Sequence, residues 1–180
     1  REMRLHLDIL AQTESIFALS NGYIGLRGNL DEGEPYGLPG TYLNSAYELR
    51  PLPYAEAAYG DPESAQTVIN VTNSKLIRLL VDDEPFDIRY GELRNHEREL
   101  DLRNGVLRRS VRWSSPAGRT INVSSVRMVS FTQRSIAAIS YEIEAVDDTV
   151  RVVVQSELVA NEDIPTAGKD PRMASVLKSP

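Results

Sequence analysis

The chain has 180 residues, 41% of them hydrophobic and 26% charged, enough to bury the core of one domain and too apolar to stay disordered. Its net charge of −6 repels phosphate backbones, which argues against nucleic acid as a partner, and the absence of cysteine excludes disulfides and thiolate metal sites and fits the cytoplasm. No apolar run approaches the roughly 20 residues of a membrane helix, and no basic-then-apolar signal segment opens the chain, so no membrane partner is expected.

The charge is unevenly placed. Residues 1–70 carry ten acidic and four basic residues, whereas residues 71–150 carry twelve of each. The later arginines alternate with acids, a pattern expected of a solvated, salt-bridged sheet face.

In chain order, Glu14–Asn29 is read first as the start of a strand. Gly22, Gly25 and Gly28 then call for three close backbone approaches. Residues 29–66 are rich in Gly, Pro, Tyr and acids, and only Gly40–Leu49 reads as strand. Loops this long are uncommon in a compact domain and tend to be functional or to form interfaces. Leu76–Val81 reads as a strand that turns at Asp82–Pro85 and returns through Phe86 and Ile88.

From Glu92 to Leu158 the alternation predicts a β-meander. Leu100 and Leu102 lead into Asn104–Gly105, a two-residue type I′ hairpin signal in which both positions need φ > 0. Leu107, Val111 and Trp113 follow on one face, which makes Trp113 a core residue. Arg108, Ser110 and Arg112 occupy the other. Ile121 and Val123 are odd-numbered, but Val126 and Met128 are even, so a bulge is expected near Ser124–Ser125. Ile139–Ala145 and Val150–Leu158 are the last strands, separated by a turn at Asp147–Asp148. Helical periodicity is nearly absent; only Tyr54–Tyr59 and Arg172–Lys178 could form a turn or two. Strands separated by turns at about ten-residue intervals predict an all-β antiparallel sandwich with few or no helices. It should span residues 1–160. Residues 161–180, with Pro165, Gly168, Pro171 and Pro180, read as a linker. The chain opens at Arg1 and closes at Pro180, which reads as a domain of a longer protein.

The chemistry-bearing residues offer little on their own. Gly22, Gly25 and Gly28 follow the order G-x-x-G-x-x-G with no helix behind them, so they are not a dinucleotide fingerprint. Glycoside cleavage needs two carboxyls roughly 5 to 9.5 Å apart across a sugar. Among Asp31 with Glu32, Glu97 with Glu99, and Glu142 with Glu144, the second pair meets the distance, at ~6.6 Å along a strand. Asn95 on the same face and Arg94 and Arg98 on the other point instead to an ordinary charged sheet face. His6 and His96 fit no metal-ligand spacing. Tyr23, Tyr36, Tyr42, Tyr47, Tyr54 and Tyr59 cluster in the first sixty residues, where they could stack a sugar or anchor an interface.

Several motifs in order resemble the N-terminal domain of glycoside hydrolase family 65, the maltose, trehalose and kojibiose phosphorylases and related disaccharide hydrolases. They are Glu14–Asn29, Gly40–Asn44 with Tyr47–Glu48, Leu100–Arg109 with Trp113 and Gly118 behind it, Arg127–Ser130, and Ile136–Tyr141. The resemblance covers residues 10–175. It implies a β super-sandwich joined in the parent chain to linker helices, an (α/α)6 barrel and a small C-terminal β domain. The family's general acid, a Glu, and its phosphate or water site belong to the barrel, so no catalytic residue and no cofactor is assigned to this chain. Inorganic phosphate would be a co-substrate if the parent is a phosphorylase. The resemblance further implies that the domain braces the barrel, shapes the entrance for a disaccharide such as trehalose, maltose or kojibiose, and takes part in homodimer contacts. Asn21, Gly22, Tyr23, Arg27 and Asn44 are the candidates for the entrance. Two rival readings are an autonomous carbohydrate-binding module and a purely structural or dimerisation domain.

Overall fold

The computed structural model describes residues 1–33, 39–51, 59–60, 64–146 and 149–160. A 3-10 turn at Leu7–Ile9 leads into the helix α1 (Leu10–Ile16). Twelve strands follow among the described residues: β1 (Leu19–Ser20), β2 (Ile24–Leu26), β3 (Thr41–Leu43), β4 (Tyr47–Pro51), β5 (Ser64–Val68), β6 (Asn73–Val81), β7 (Glu84–Pro85), β8 (Glu92–Asp101), β9 (Val106–Ser114), β10 (Thr120–Val129), β11 (Ala137–Ala145) and β12 (Val152–Val159). All pairings are antiparallel. They build sheets ordered β11-β10-β9-β8, β12-β6-β7 and β1-β2-β3, and the ribbon β4-β5.

The two larger sheets sandwich one core. Leu79 and Val81 of β6, with Phe86 and Ile88 just beyond β7, meet Val111 and Trp113 of β9 and Ile121 and Val123 of β10, and Leu10 of α1 and Leu30 close the cluster. Trp113 is fully buried, as its place in the Leu107–Val111–Trp113 face predicts. Its indole N–H donates to the carbonyls of Tyr90 (2.6 Å) and Asp87 (3.1 Å), and its ring meets Phe86 edge-on at 5.4 Å. A second cluster joins the small sheet to the large one: Phe17, Leu19, Ile24 and Leu26 pack on Leu107 and Val129.

Five local expectations need correction. Glu14–Ile16 is not strand but the end of α1, where Thr13 and Glu14 are buried beside Leu10. The helix is too short to show a periodic stripe, which is why the pattern missed it. The turn at Asn104–Gly105 is a four-residue loop, since Asp101 pairs with Val106. Only Gly105 has φ > 0, at 66°. Asp101 enforces the longer loop: its carboxylate accepts the N–H groups of Arg103 and Asn104 and the Asn104 side chain, while its carbonyl accepts the Gly105 N–H at 2.8 Å. Leu102 therefore sits exposed in the loop rather than in the strand.

The third correction concerns β10. It runs without any register shift against both β9 and β11, so no bulge lies at Ser124–Ser125. The inward row continues through Ile121, Val123, Ser125, Arg127 and Val129, and Val126 and Met128 face outward. The apparent slip of apolar phase is a buried polar pair at two inward positions. Fourth, β8 to β11 form the meander, but β12 leaves it and pairs with β6, from Val152 opposite Val81 to Val159 opposite Asn73. Fifth, the arginines are not all on a solvated face, because Arg98, Arg109 and Arg127 are buried.

The second hairpin forms as expected at its base. Val81 pairs with Glu84, so the turn itself is Asp82–Asp83, both left-handed at φ 48° and 74°. The turn at Asp147–Asp148, the linker 161–180, the helical turn at Arg172–Lys178, most of that at Tyr54–Tyr59, and the side chains of Tyr36 and Tyr54 lie outside the described residues.

Candidate functional site

Three of the five entrance candidates come together. The turn from β1 to β2 is an Asx turn: the Asn21 side-chain oxygen accepts the N–H groups of Tyr23 (2.9 Å) and Ile24 (2.8 Å). The Asn21 amide donates to the carbonyls of Ser130 (2.6 Å) and Arg134 (2.9 Å), stapling this turn to the loop after β10. Gly22, at φ 79°, lets the chain reverse. The Tyr23 carbonyl accepts the Asn44 N–H at 2.8 Å, and the Tyr47 hydroxyl reaches the Asn44 side-chain oxygen at 3.5 Å. The result is an open cleft of ≈ 260 Å³ between β2–β3 and the ribbon, lined by Gly22, Tyr23, Tyr42, Asn44, Tyr47 and Val68. Asn21 does not line it but holds in place the turn that carries Gly22 and Tyr23.

Arg27 is not part of that cleft. Its guanidinium turns back to the Ala11 carbonyl (2.6 Å) and lies 3.9 Å from the buried Glu14 carboxylate. Its stem lies so close to Gly40 that a Cβ there would come within 2.4 Å. Gly28 has a packing role too, since a Cβ would sit 2.6 Å from that of Phe17. Gly25 leaves ordinary room, so of the three glycines only Gly28 makes the close approach its spacing suggests.

Beneath this region lies a buried polar network. Arg98 donates to the Glu2 carboxylate (2.6 Å), the Gly28 carbonyl (2.9 Å) and the Thr13 hydroxyl (2.9 Å), with its guanidinium 4.8 Å above the Phe17 ring. Arg109 makes a two-pronged contact with Glu32 (2.5 and 2.7 Å) and reaches Asp31 at 3.1 Å. Arg127 and Ser125 also donate to Asp31. Burial pushes the Asp31 carboxyl up, but the charges of Arg127 and Arg109 and the hydrogen bonds from Arg127 and Ser125 outweigh it and hold it below the ordinary value. Burial and the same two carboxylates push the Tyr141 hydroxyl up, so it stays protonated. His96 is pushed down to about 3 by burial, with Arg109 and Arg98 adding to the effect.

The model of the family described as glycosyl hydrolase family 65, N-terminal domain, matches residues 1–180. The chain belongs to that family. It is 65% identical over its whole length to an uncharacterized glycosyl hydrolase of Mycobacterium tuberculosis, of which it covers 23%. It is 38% identical to the α,α-trehalose phosphorylase of Thermoanaerobacter brockii over 99% of this chain and 24% of that protein. Among solved structures, a chain assigned as a kojibiose phosphorylase from the human microbiome matches with a TM-score of 0.67 and 32% identity, over 79% of this chain and 19% of that one. The chain thus spans about a quarter of the length of the curated relatives it matches.

Within this family 65 domain the tempting carboxylate pairs separate into two kinds. Asp31 and Glu32 are buried and committed to arginines, not displayed on a sheet face. Asp31 is thereby kept ionised and cannot act as a general acid near neutrality. Glu97 and Glu99 do share the outward face of β8, where Arg1 lies 2.6 Å from Glu97 and 3.8 Å from Glu99. No group of three His, Cys, Asp or Glu among the described residues could hold a metal ion, and none of their helices is long and apolar enough to cross a membrane.

Sequence reasoning missed the network. A signal was present: Arg109 shares parity with Leu107, Val111 and Trp113, and Ser125 and Arg127 share parity with Ile121, Val123 and Val129. Keeping the strand phase constant would have put both arginines inside and called for buried acids to meet them.

Proposed function

We propose that this chain is the non-catalytic N-terminal β-sandwich domain of a longer, inverting α-glucoside phosphorylase or hydrolase of the cytoplasm, bracing a catalytic helical barrel and shaping its entrance. The observation that carries the reading is the full-length family match together with 38% identity to a trehalose phosphorylase about four times longer. Trehalose is therefore the first disaccharide to test, with maltose and kojibiose beside it, and inorganic phosphate as the co-substrate of a phosphorylase. The carboxylates support a non-catalytic role, since Asp31 and Glu32 are locked in ion pairs, while Glu97 with Glu99 on β8 and Glu142 with Glu144 on β11 lie on open sheet faces where an acid gains little from burial.

The bracing surface in this reading is the β4–β5 ribbon. Tyr47, Leu49 and Val68 stand exposed on one of its faces, and a two-stranded ribbon alone in water is marginal. The barrel of the parent chain is the occupant we assign to that face. The cleft beside it, with Gly22, Tyr23 and Asn44, is then positioned at the barrel's mouth.

The test is an assay of the full parent and of this chain alone on trehalose, maltose and kojibiose, with and without phosphate, reading glucose and glucose 1-phosphate. The parent should cleave one of them and the chain alone none. Product from the chain alone that vanishes in Glu97→Gln or Glu99→Gln would overturn the proposal.

A further inference from the structure

The inner face of the large sheet carries one row of side chains that is polar from end to end. Arg98 of β8 stands opposite Arg109 of β9, Arg109 opposite Ser125 of β10, and Ser125 opposite Tyr141 of β11. Cross-strand partners share a face at ~5 Å spacing, so the four form a continuous layer. On one side of it the row of His96, Val111 and Val123 leads into the main core. On the other, Leu107 and Arg127 border the second cluster. The polar layer therefore separates the two apolar clusters. Its charges are matched one for one: Glu2 meets Arg98, Glu32 meets Arg109 and Asp31 meets Arg127.

Hydrogen bonding is less complete than charge pairing. Among the described residues, six buried side-chain atoms find no hydrogen-bond partner in the protein: Arg109 Nε, Arg127 Nη1, the Tyr141 hydroxyl, both ring nitrogens of His96, and Asn29 Oδ1. All of them belong to the layer or border it. Arg127 lies two residues beyond Ser125 on β10, and His96 two before Arg98 on β8. Asn29 follows Gly28, whose carbonyl accepts from Arg98 at 2.9 Å. Arg109, Arg127, His96 and Asn29 are 5%, 3%, 4% and 8% exposed, so bulk solvent does not serve them. A buried donor or acceptor left unmet is costly, and buried polar atoms in folded proteins are met by protein or by ordered solvent. Orphans confined to one layer point to a molecule held there.

We infer that this layer is a buried binding site for ordered water, which bridges Arg109, Arg127 and Tyr141 and continues to His96 and Asn29. The kinds of orphan select the ligand. The arginine nitrogens and the hydroxyl donate, the Asn29 oxygen accepts, and a neutral imidazole donates at one nitrogen and accepts at the other. His96 is neutral near pH 7, because burial holds its value at about 3. Only a molecule that both donates and accepts meets every one of these groups. An anion would serve the donors alone, and it would add a charge to a layer whose three arginines already face three carboxylates. A cation would face the guanidinium groups themselves. Water meets both kinds and adds no charge. The segment from Asn29 to Glu32 is then fastened to the sheet through solvent as well as through its ion pairs.

The test is a crystal structure of the full-length parent at a resolution that shows ordered solvent, with a bromide-soaked crystal and a melting curve of Tyr141→Phe beside it. Solvent peaks should lie within hydrogen-bond distance of the Tyr141 hydroxyl and of Arg109 Nε or Arg127 Nη1, and further peaks beside His96. Bromide should give no anomalous signal at these peaks. Tyr141→Phe keeps the ring but strips the water of a partner, so its melting temperature should fall. No peak at these atoms would overturn the inference. So would a Tyr141→Phe variant at least as heat-stable as the wild type, since deleting an unmet hydroxyl relieves the fold. An anomalous bromide peak would overturn it in favour of an anion. None of these measurements reads activity, so a parent inactive on every α-glucoside would sink the functional reading and leave this one standing.

Discussion

Arg127 grips Asp31 through two guanidinium nitrogens, Nε at 3.0 Å and Nη2 at 2.5 Å, and water reaches neither side chain. Asp31 lies in the chain just after the Gly22–Gly28 region, and Arg127 sits mid-strand in β10. One pair thus fixes the path of the N-terminal segment against the large sheet. Removing one member of a buried pair leaves a charge without its counter-ion. Arg127→Ala should therefore cost about 3–5 kcal/mol. The double variant Asp31→Ala/Arg127→Ala should cost less than the sum of the two single losses. Additive losses in urea unfolding would show that the pair is not coupled.

His96 makes stability depend on pH well above the carboxylate range. It faces Arg98 of its own strand, Arg109 of β9, and Glu2 at 3.9 Å. Its ordinary value is 6.5 and its folded value is about 3. Between those values the unfolded chain holds more protons than the folded one. Its contribution is therefore intact above pH 6.5 and lost progressively as the pH falls toward 3. Linkage puts the loss from pH 7 to pH 5 at about 2 kcal/mol. Asp31, whose carboxyl is held below the ordinary 3.8, adds its loss only at lower pH. His96→Leu should flatten the curve between pH 7 and 5; an unchanged slope in urea midpoints would refute the assignment.

What the sequence disclosed and what it hid follow from the same rule of alternation. Trp113, Val111, Ile121 and Val123 were legible as core because apolar residues at every second position admit one simple reading. Arg109 and Arg127 sit on that same inward row, but charge on a strand is ordinarily charge in water, so the pattern reads as a slip of phase where β10 has none. Deciding otherwise needs the acids that meet them, and Asp31 and Glu32 lie nearly eighty or more residues away. The cleft was half legible. The turn at Asn21–Gly22 and the following Tyr23 announced a tight reversal, but that Asn44 joins them and Arg27 leaves them depends on β2–β3 pairing and on α1, which local pattern does not encode.

The loop from β8 to β9 turns on Gly105. Its φ of 66° is left-handed, and a Cβ there would lie 3.1 Å from the Phe131 ring. Gly105→Val should cost on the order of 1–2 kcal/mol from the left-handed penalty on a β-branched side chain. Gly105→Asn, which tolerates that region, should cost less. Equal denaturation midpoints for the two variants would mean that backbone conformation is not what selects glycine here.

The cleft makes the last and most functional prediction. Tyr23 and Tyr47 are partly open to solvent on its rim, while Asn44 is tied to both, to Tyr23 by a backbone bond and to Tyr47 by its side chain. If this rim guides a disaccharide to a barrel site, an aromatic face there contributes equally to binding the ground state and the transition state. Truncation then raises KM and leaves kcat nearly unchanged. Tyr23→Ala in the full-length parent should raise KM about fivefold, the equivalent of ~1 kcal/mol of lost stacking. Tyr23→Phe should retain most of the affinity, because the ring face rather than the hydroxyl makes the contact, whereas Tyr47→Ala, on the ribbon face assigned to the barrel, should lower the melting temperature and leave KM unchanged. Steady-state kinetics on the preferred α-glucoside decide the matter. Unchanged KM together with a lowered melting temperature in Tyr23→Ala would assign that ring too to the interface with the barrel and remove it from the substrate's path.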